Sequence, residues 1–189
     1  AGIADLAEQF PAQIIDPEVH KLLEEGPGRR RRYLDWGVFH VEHGFHRVWL
    51  DVHRCLRQRN ALLRHDRIST SQLEIWNGRL AESATQLDEL RLRYFAAFYP
   101  IFQQTLRELV NLDGLELGYL RGWDRERTLE AVLIEQVEKD RVRGFTQSGP
   151  HRADIRVRIR GLNAAEVLSR GQQKLVVAAM KLAQGRLFS

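Results

Sequence analysis

Leu168-Ser169-Arg170-Gly171-Gln172-Gln173-Lys174, continued by Leu175-Val176-Val177-Ala178-Ala179-Met180-Lys181-Leu182-Ala183, is the stretch on which the reading of this chain turns. Serine is among the best N-cap residues, Gln172 stands three residues on where a capping-box partner belongs, and no Gly or Pro interrupts the run from there to Ala183. A helix therefore starts at Ser169. Its first turn directs free backbone N–H groups, the Ser169 hydroxyl and the positive end of the helix dipole at one spot. Gly171 leaves out the side chain that would block an approaching anion. An ordinary capped helix accounts for the cap equally well, because Ser-x-x-Gln caps are common. The longer string is more selective.

Leu-Ser-x-Gly-Gln followed by a basic residue and an amphipathic helix resembles the signature sequence of ABC-type ATPases. The form here, Ser169-Arg170-Gly171-Gln172-Gln173-Lys174, is similar to that of the RecF family, bacterial recombination-mediator ATPases related to the SMC and Rad50 proteins. Three further strings fit the same family in its order and at about its spacing: Tyr33-Leu34-Asp35-Trp36-Gly37, Leu56-Arg57-Gln58-Arg59-Asn60-Ala61-Leu62-Leu63, and Ser148-Gly149-Pro150-His151-Arg152-Ala153-Asp154. Together they cover nearly the whole chain. The resemblance implies that Ser169, Arg170, Gly171 and Gln172 contact ATP in trans, the Ser and Gly meeting the γ-phosphate of a nucleotide held by a second subunit. It further implies ATP with magnesium as cofactor and an ATP-dependent homodimer. The implied partners are DNA, gapped or single-stranded as well as duplex, with RecO and RecR in loading the RecA recombinase.

Composition sets the bounds. A chain of 189 residues can bury one core, or one core with a projecting element. A hydrophobic fraction of 43% beside 29% charged residues is that of a globular protein. No apolar run approaches the roughly 20 residues of a membrane span, so no membrane partner is expected. No signal peptide is visible, and the single cysteine, Cys55, cannot form an internal disulfide, which fits a reducing cytoplasm. The net charge of +4 and pI near 9.6 favour a polyanionic partner only mildly.

The chain begins with Ala1 and stops at Ser189, directly after a helical pattern, and is expected to be an excised piece. A P-loop needs Gly-x-x-x-x-Gly-Lys-Ser/Thr, and none of Lys21, Lys139, Lys174 or Lys181 follows a Gly. A magnesium-holding strand end needs an apolar run closing on acidic residues; only Gln13-Ile14-Ile15-Asp16-Pro17-Glu18 comes near, and Pro17 favours a strand followed by a turn. By resemblance the P-loop lies upstream and the acidic strand downstream. The intact protein is then a slow DNA-dependent ATPase, whereas this stretch holds no catalytic residue and is inactive alone.

The fold class expected is mainly α with a small β component: the helical lobe of an ABC-type head with a short antiparallel, coiled-coil-like arm. Residues 1–28 form the edge of the head, 29–145 the helical arm lobe, and 146–189 a strand and the signature helix. Ile3 to Phe10 suits a short helix and Gln13 to Ile15 a short strand, whose Gln13 is by resemblance a candidate for coupling the nucleotide to the helical lobe. A helix from about Gly44 to Arg64 carries Phe45, Val48, Trp49, Val52, Leu56 and Leu63 on one face. The next, from about Ser71 to Val110, repeats Leu73, Leu80, Leu87, Tyr94 and Ile101 every seven residues, with Trp76, Leu90 and Ala97 between them. Pro100 should kink it. A strand follows from Leu115 to Trp123 and a helix from Thr128 to Val142. The next strand sets Ile155, Val157 and Ile159 against Arg156, Arg158 and Arg160, and Gly161 closes it.

Two groups of cations are DNA-phosphate candidates in a family that binds DNA: Arg29, Arg30, Arg31 and Arg32 after Gly26-Pro27-Gly28, and Arg57 and Arg59, with Arg64 and Arg67 nearby. The arginines of the Ile155–Ile159 strand have two readings, DNA contact or pairing with cross-strand carboxylates. His40, His43, His46 and His53 lack the Cys or second carboxylate that would complete a metal set. Cys55 belongs to an apolar helix face and reads as core. The competing functional class is a stand-alone helical DNA-binding or scaffold module in which Ser169 is merely a cap; a P-loop in the upstream sequence separates the two.

Overall fold

In the computed structural model the helices starting at Leu129, Ala164 and Arg170 have side-chain caps from Thr128, Asn163 and Ser169. The structure describes residues 18, 20–65 and 70–188. In order, these form α1 (Lys21–Glu24), α2 (Pro27–Val41), α3 (Phe45–Leu63), α4 (Thr70–Leu109), β1 (Leu115–Leu120), α5 (Leu129–Glu135) and α6 (Val137–Arg143). A 3₁₀ turn (Pro150–Arg152), β2 (Asp154–Ile159), β3 (Leu162–Asn163), α7 (Ala164–Val167) and α8 (Arg170–Leu187) follow. The mainly helical α+β class is as expected. The readings at Ile3–Phe10 and Gln13–Ile15, Gln13 itself and Arg67 lie outside the described residues.

Contacts divide the chain into two compact units. One comprises residues 1–43, 91–119 and 154–189, the other 44–90 and 120–153. α4 contributes its first half, through Leu90, to the second of these units and its second half, from Arg91, to the first.

In the first unit, α2 opens with Pro27 at its first position, where the missing N–H costs nothing. Leu34 and Val38 of this helix, Tyr94, Phe98 and Phe102 of α4, Ile155 of β2, and Val176, Val177 and Met180 of α8 are all buried. The three strands lie in the order β1-β2-β3. β1 alternates buried Leu115, Leu117 and Tyr119 with exposed Glu116 and Gly118. β2 pairs antiparallel with β3 through Arg158 with Asn163 and Ile159 with Leu162. Their two-residue connection places Arg160 at φ 50° and Gly161 at φ 82°. Two positive φ values are what a tight hairpin turn matching strand twist demands, and Gly161 meets the second without strain.

In the second unit, α3 and the first half of α4 run antiparallel. Arg59 of α3 reaches Asn77, and Cys55, one turn earlier, reaches Ser83, about two turns later on α4. Cys55 is core, as read, and burial pushes its thiol up from the ordinary value. The heptad on α4 holds only in part. Leu73, Leu80, Leu87 and Tyr94 are buried, but the stripe then advances by fours through Phe98, Phe102 and Leu106. Ala97 is exposed, and Trp76 and Ile101 are half-buried. A straight helix drifts by about 20° per heptad, so over 40 residues the inward face passes to the next residue unless the helix supercoils. Pro100 sits within the continuous helix, on its exposed side.

Two other elements depart from expectation. β1 ends at Leu120 and not at Trp123, because Gly122 turns the chain at φ 96° and a Cβ there would lie 2.2 Å from the Gly149 carbonyl oxygen. The helix expected from Thr128 to Val142 is two helices. Thr128 caps the first, its hydroxyl accepting from Ala131 N–H at 3.3 Å, and Gln136 interrupts at φ −89°, ψ 3°. The Ser148 hydroxyl donates to the Gln136 side-chain oxygen at 2.8 Å, so the side chain at the break is held by the following loop.

Candidate functional site

The signature helix α8 is seated by the Tyr33–Gly37 string. The Tyr33 hydroxyl donates to the Met180 carbonyl at 2.7 Å. The Gln184 amide donates to the Tyr94 hydroxyl at 2.7 Å and to the Tyr33 carbonyl at 3.2 Å. Gly37 permits this approach: a Cβ there would lie 2.2 Å from Gln184 Nε2 and 2.3 Å from Tyr94 Oη. Burial pushes both tyrosine hydroxyls upward, so each keeps its proton. Asp35 accepts from Nε and one terminal nitrogen of Arg91 at 2.8 and 3.0 Å, and Trp36 meets Phe188, just past the end of α8, edge to face. Arg186 adds bonds to Thr105 at 2.9 Å and Glu108 at 2.7 Å.

At the other end of α8 the capping box is formed. Ser169 Oγ accepts from Gln172 N–H at 3.3 Å, and Gln172 Oε1 accepts from Ser169 N–H at 3.0 Å. The buried Gln173 amide donates to the carbonyls of Ala165 and Leu168, both at 3.0 Å, fixing the preceding turn. Ser169, Arg170 and Gly171 are exposed. Nothing but Ser169 Oγ, at 3.9 Å, lies within 4 Å of the point where a Gly171 Cβ would stand. The cap uses the Ser169 oxygen as acceptor and leaves its O–H free to donate. The N–H groups of Arg170 and Gly171 have no acceptor among the described residues. Two backbone donors, one hydroxyl, the dipole and the exposed Arg170 and Lys174 therefore face open space. That arrangement fits one edge of a phosphate.

The DNA-phosphate candidates have different fates. Arg59 is a correction. It is fully buried, donating from Nε to Asn77 at 2.7 Å and from one terminal nitrogen to Asp140 at 2.7 Å and Thr146 at 2.8 Å; the other reaches the Leu133 carbonyl at 3.3 Å. A guanidinium so enclosed cannot reach a phosphate. Asn60, beside it in sequence, accepts from both the N–H and the hydroxyl of Thr146 at 2.8 and 2.7 Å. The Leu56–Leu63 string is thus a pin for the loop that leads into Ser148–Asp154. Arg30 is likewise committed: it forks onto Asp154 at 2.8 and 2.9 Å and donates to the Leu23 carbonyl at 3.0 Å. All four of Arg29–Arg32 lie in α2; Arg29 pairs with Glu25, Arg31 has a partner, and Arg32 is exposed. Arg57 is exposed on α3, and Arg64 donates to the Gly144 carbonyl at 3.1 Å.

His53 packs on Trp49 and bonds its carbonyl at 2.8 Å, while His40 lies against Trp36. Among the described residues no three His, Cys, Asp or Glu side chains converge as metal ligands, and no helix is long and apolar enough to cross a membrane. Asp140, Asn77 and Thr146 escaped sequence reading because they are far from Arg59 in the chain. The one available signal was Asp140 falling on the inward side of α6.

Fold and site together define a mainly helical lobe with a small antiparallel sheet and an exposed, capped helix start at Ser169–Gln172. The chain is 54% identical over 185 residues to the DNA replication and repair protein RecF of Chromohalobacter salexigens and 50% identical over 186 residues to that of Pseudomonas fluorescens Pf0-1. In both cases the match takes in 98% of the chain and 51% of the relative. Its fold matches two solved structures of the recombination mediator protein RecF in the RecFOR pathway. The RecF-ATP form gives TM-score 0.82 at 27% identity, over 89% of this chain and 48% of that one. The RecF-ATPrS form gives 0.85 at 26%, over 92% and 50%. No family model matches the chain. The chain is RecF-like throughout and spans about half the length of the curated relatives it matches, consistent with their central region.

Proposed function

We propose that this chain is the signature-motif lobe of a RecF-like DNA repair protein that binds ATP with magnesium, dimerises on ATP, binds DNA, and with RecO and RecR promotes RecA loading at single-strand gaps. The observation that carries the reading is the exposed, capped start of α8, with Gly171 facing open space, in a chain whose fold matches RecF-ATP. When bound, the nucleotide supplies the charged phosphate that joins two subunits. Ser169 O–H and the Arg170 and Gly171 N–H groups meet it from the partner's side, and the Tyr33–Gly37 socket fixes the direction in which they point. Association through ATP then makes the dimer depend on the state of the nucleotide. Exposed Arg32, with Arg29 and Arg31 on the same helix, and separately exposed Arg57 on α3 contribute charge toward DNA phosphates.

Ser169→Asp tests the site, since Asp keeps the cap while setting a negative charge against the phosphate. In the full-length protein, light scattering with ATP should find this variant monomeric although each subunit still binds ATP. A Ser169→Asp protein that dimerises normally overturns the assignment.

A further inference from the structure

The outward face of β2 carries Arg156 and Arg158, both exposed, and neither forms an ion pair or hydrogen bond through its side chain with any described residue. Of the two readings the sequence allowed, pairing with carboxylates across the sheet is thereby removed. Glu116 shares the outward face on β1 but makes no ion pair, and Asp154, the acid at the start of β2, is occupied on both oxygens by Arg30. Asn163, the β3 residue facing Arg158, is neutral and turns its own amide to Glu166 at 2.8 Å. Leu23, Arg30, Asp154, Arg156, Arg158 and Asn163 line a cleft along this edge of the sheet.

We propose that Arg156 and Arg158 form a phosphodiester-binding rail that holds the backbone of a DNA strand, an inference that rests on the DNA-binding reading above. Side chains two apart on a strand stand about 6.6 Å from one another on the same face, a spacing comparable to that of successive phosphates along one nucleic-acid strand. Guanidinium forks suit phosphate oxygens better than ammonium groups do, and they release condensed counterions on contact. The Arg30–Asp154 pair is internally neutral, so the excess charge in the cleft comes from the two free arginines. Burial of Ile155 and Val157 beneath them anchors the strand and keeps the pair aimed outward.

The test uses the full-length protein and a fluorescently labelled oligonucleotide, single-stranded and duplex, with anisotropy read from 50 to 300 mM salt. Arg156→Gln with Arg158→Gln should weaken binding at least about tenfold at low salt and reduce the slope of log affinity against log salt by about two, roughly one per lost contact. Arg156→Lys with Arg158→Lys keeps the charge and should keep most of the slope, which separates phosphate contact from damage to the fold. Wild-type binding with an unchanged slope in the Gln variant overturns the rail and leaves the proposed function standing. Absence of DNA binding by the wild type overturns both. A Gln variant that keeps its DNA slope but no longer binds a polyglutamate peptide identifies an acidic protein partner and overturns the rail as well.

Discussion

The two compact units secure their family motifs by opposite means. In one, the Tyr33–Gly37 string grips the signature helix with neutral groups: two tyrosine hydroxyls, one glutamine amide and a glycine that allows all three to meet. In the other, the Leu56–Leu63 string pins the loop before Ser148–Asp154 with a charge, Arg59, enclosed with Asp140 and without exposure to water. The difference sets their modes of failure. A neutral contact that is lost costs about one hydrogen bond with the packing around it, whereas half of a buried ion pair leaves an uncompensated charge in a low dielectric.

The largest expected effect follows from that asymmetry. Arg59→Leu should destabilise the protein by about 3–5 kcal/mol in urea unfolding, because Asp140 remains buried without its cation. Adding Asp140→Leu should recover much of the loss, since removing both charges together is often near neutral. If the double variant is no better than the single, the pin is not an ion pair in energetic terms and the comparison fails. Gly37→Ala comes next. Its Cβ would fall within 2.3 Å of Gln184 and Tyr94 side-chain atoms, and overpacking of this kind costs about 1–3 kcal/mol. The shift should be felt on α8, so ATP-dependent association is expected to weaken along with the melting temperature. The smallest effect is at the exposed cap. Ser169→Ala should cost about 1 kcal/mol in stability, and Ser169→Asp close to none.

Most of the fold was legible in the sequence because its signals are local. Ser169 and Gln172 announce a capping box within one turn, and the alternation of Ile155 and Val157 with Arg156 and Arg158 defines β2 before any partner strand is known. What escaped depends on distance or on accumulated geometry. Arg59 looked like its neighbour Arg57 because nothing adjacent reveals an aspartate 81 residues away in the chain. Ala97 and Ile101 followed a seven-residue rule that a straight helix cannot sustain. Gln136 interrupts a helix whose periodicity continues on both sides, and the bond from Ser148 that holds its side chain comes from a loop twelve residues on. At the candidate site, identity and exposure of Ser169 and Gly171 were readable, whereas the socket at Met180 and Gln184 that orients them was not.

The cap at Ser169 also sorts neighbouring amides by their access to solvent protons. Gln172 N–H is tied to Ser169 Oγ, while the N–H groups of Arg170 and Gly171, two and one residues nearer the helix start, have no acceptor among the described residues. Hydrogen exchange at Gln172 therefore tracks opening of the helix end, and exchange at Arg170 and Gly171 runs close to its unprotected rate until something outside the helix accepts their bonds. Three consecutive positions thus carry, within one turn, a clock for local unfolding and two clocks for occupancy.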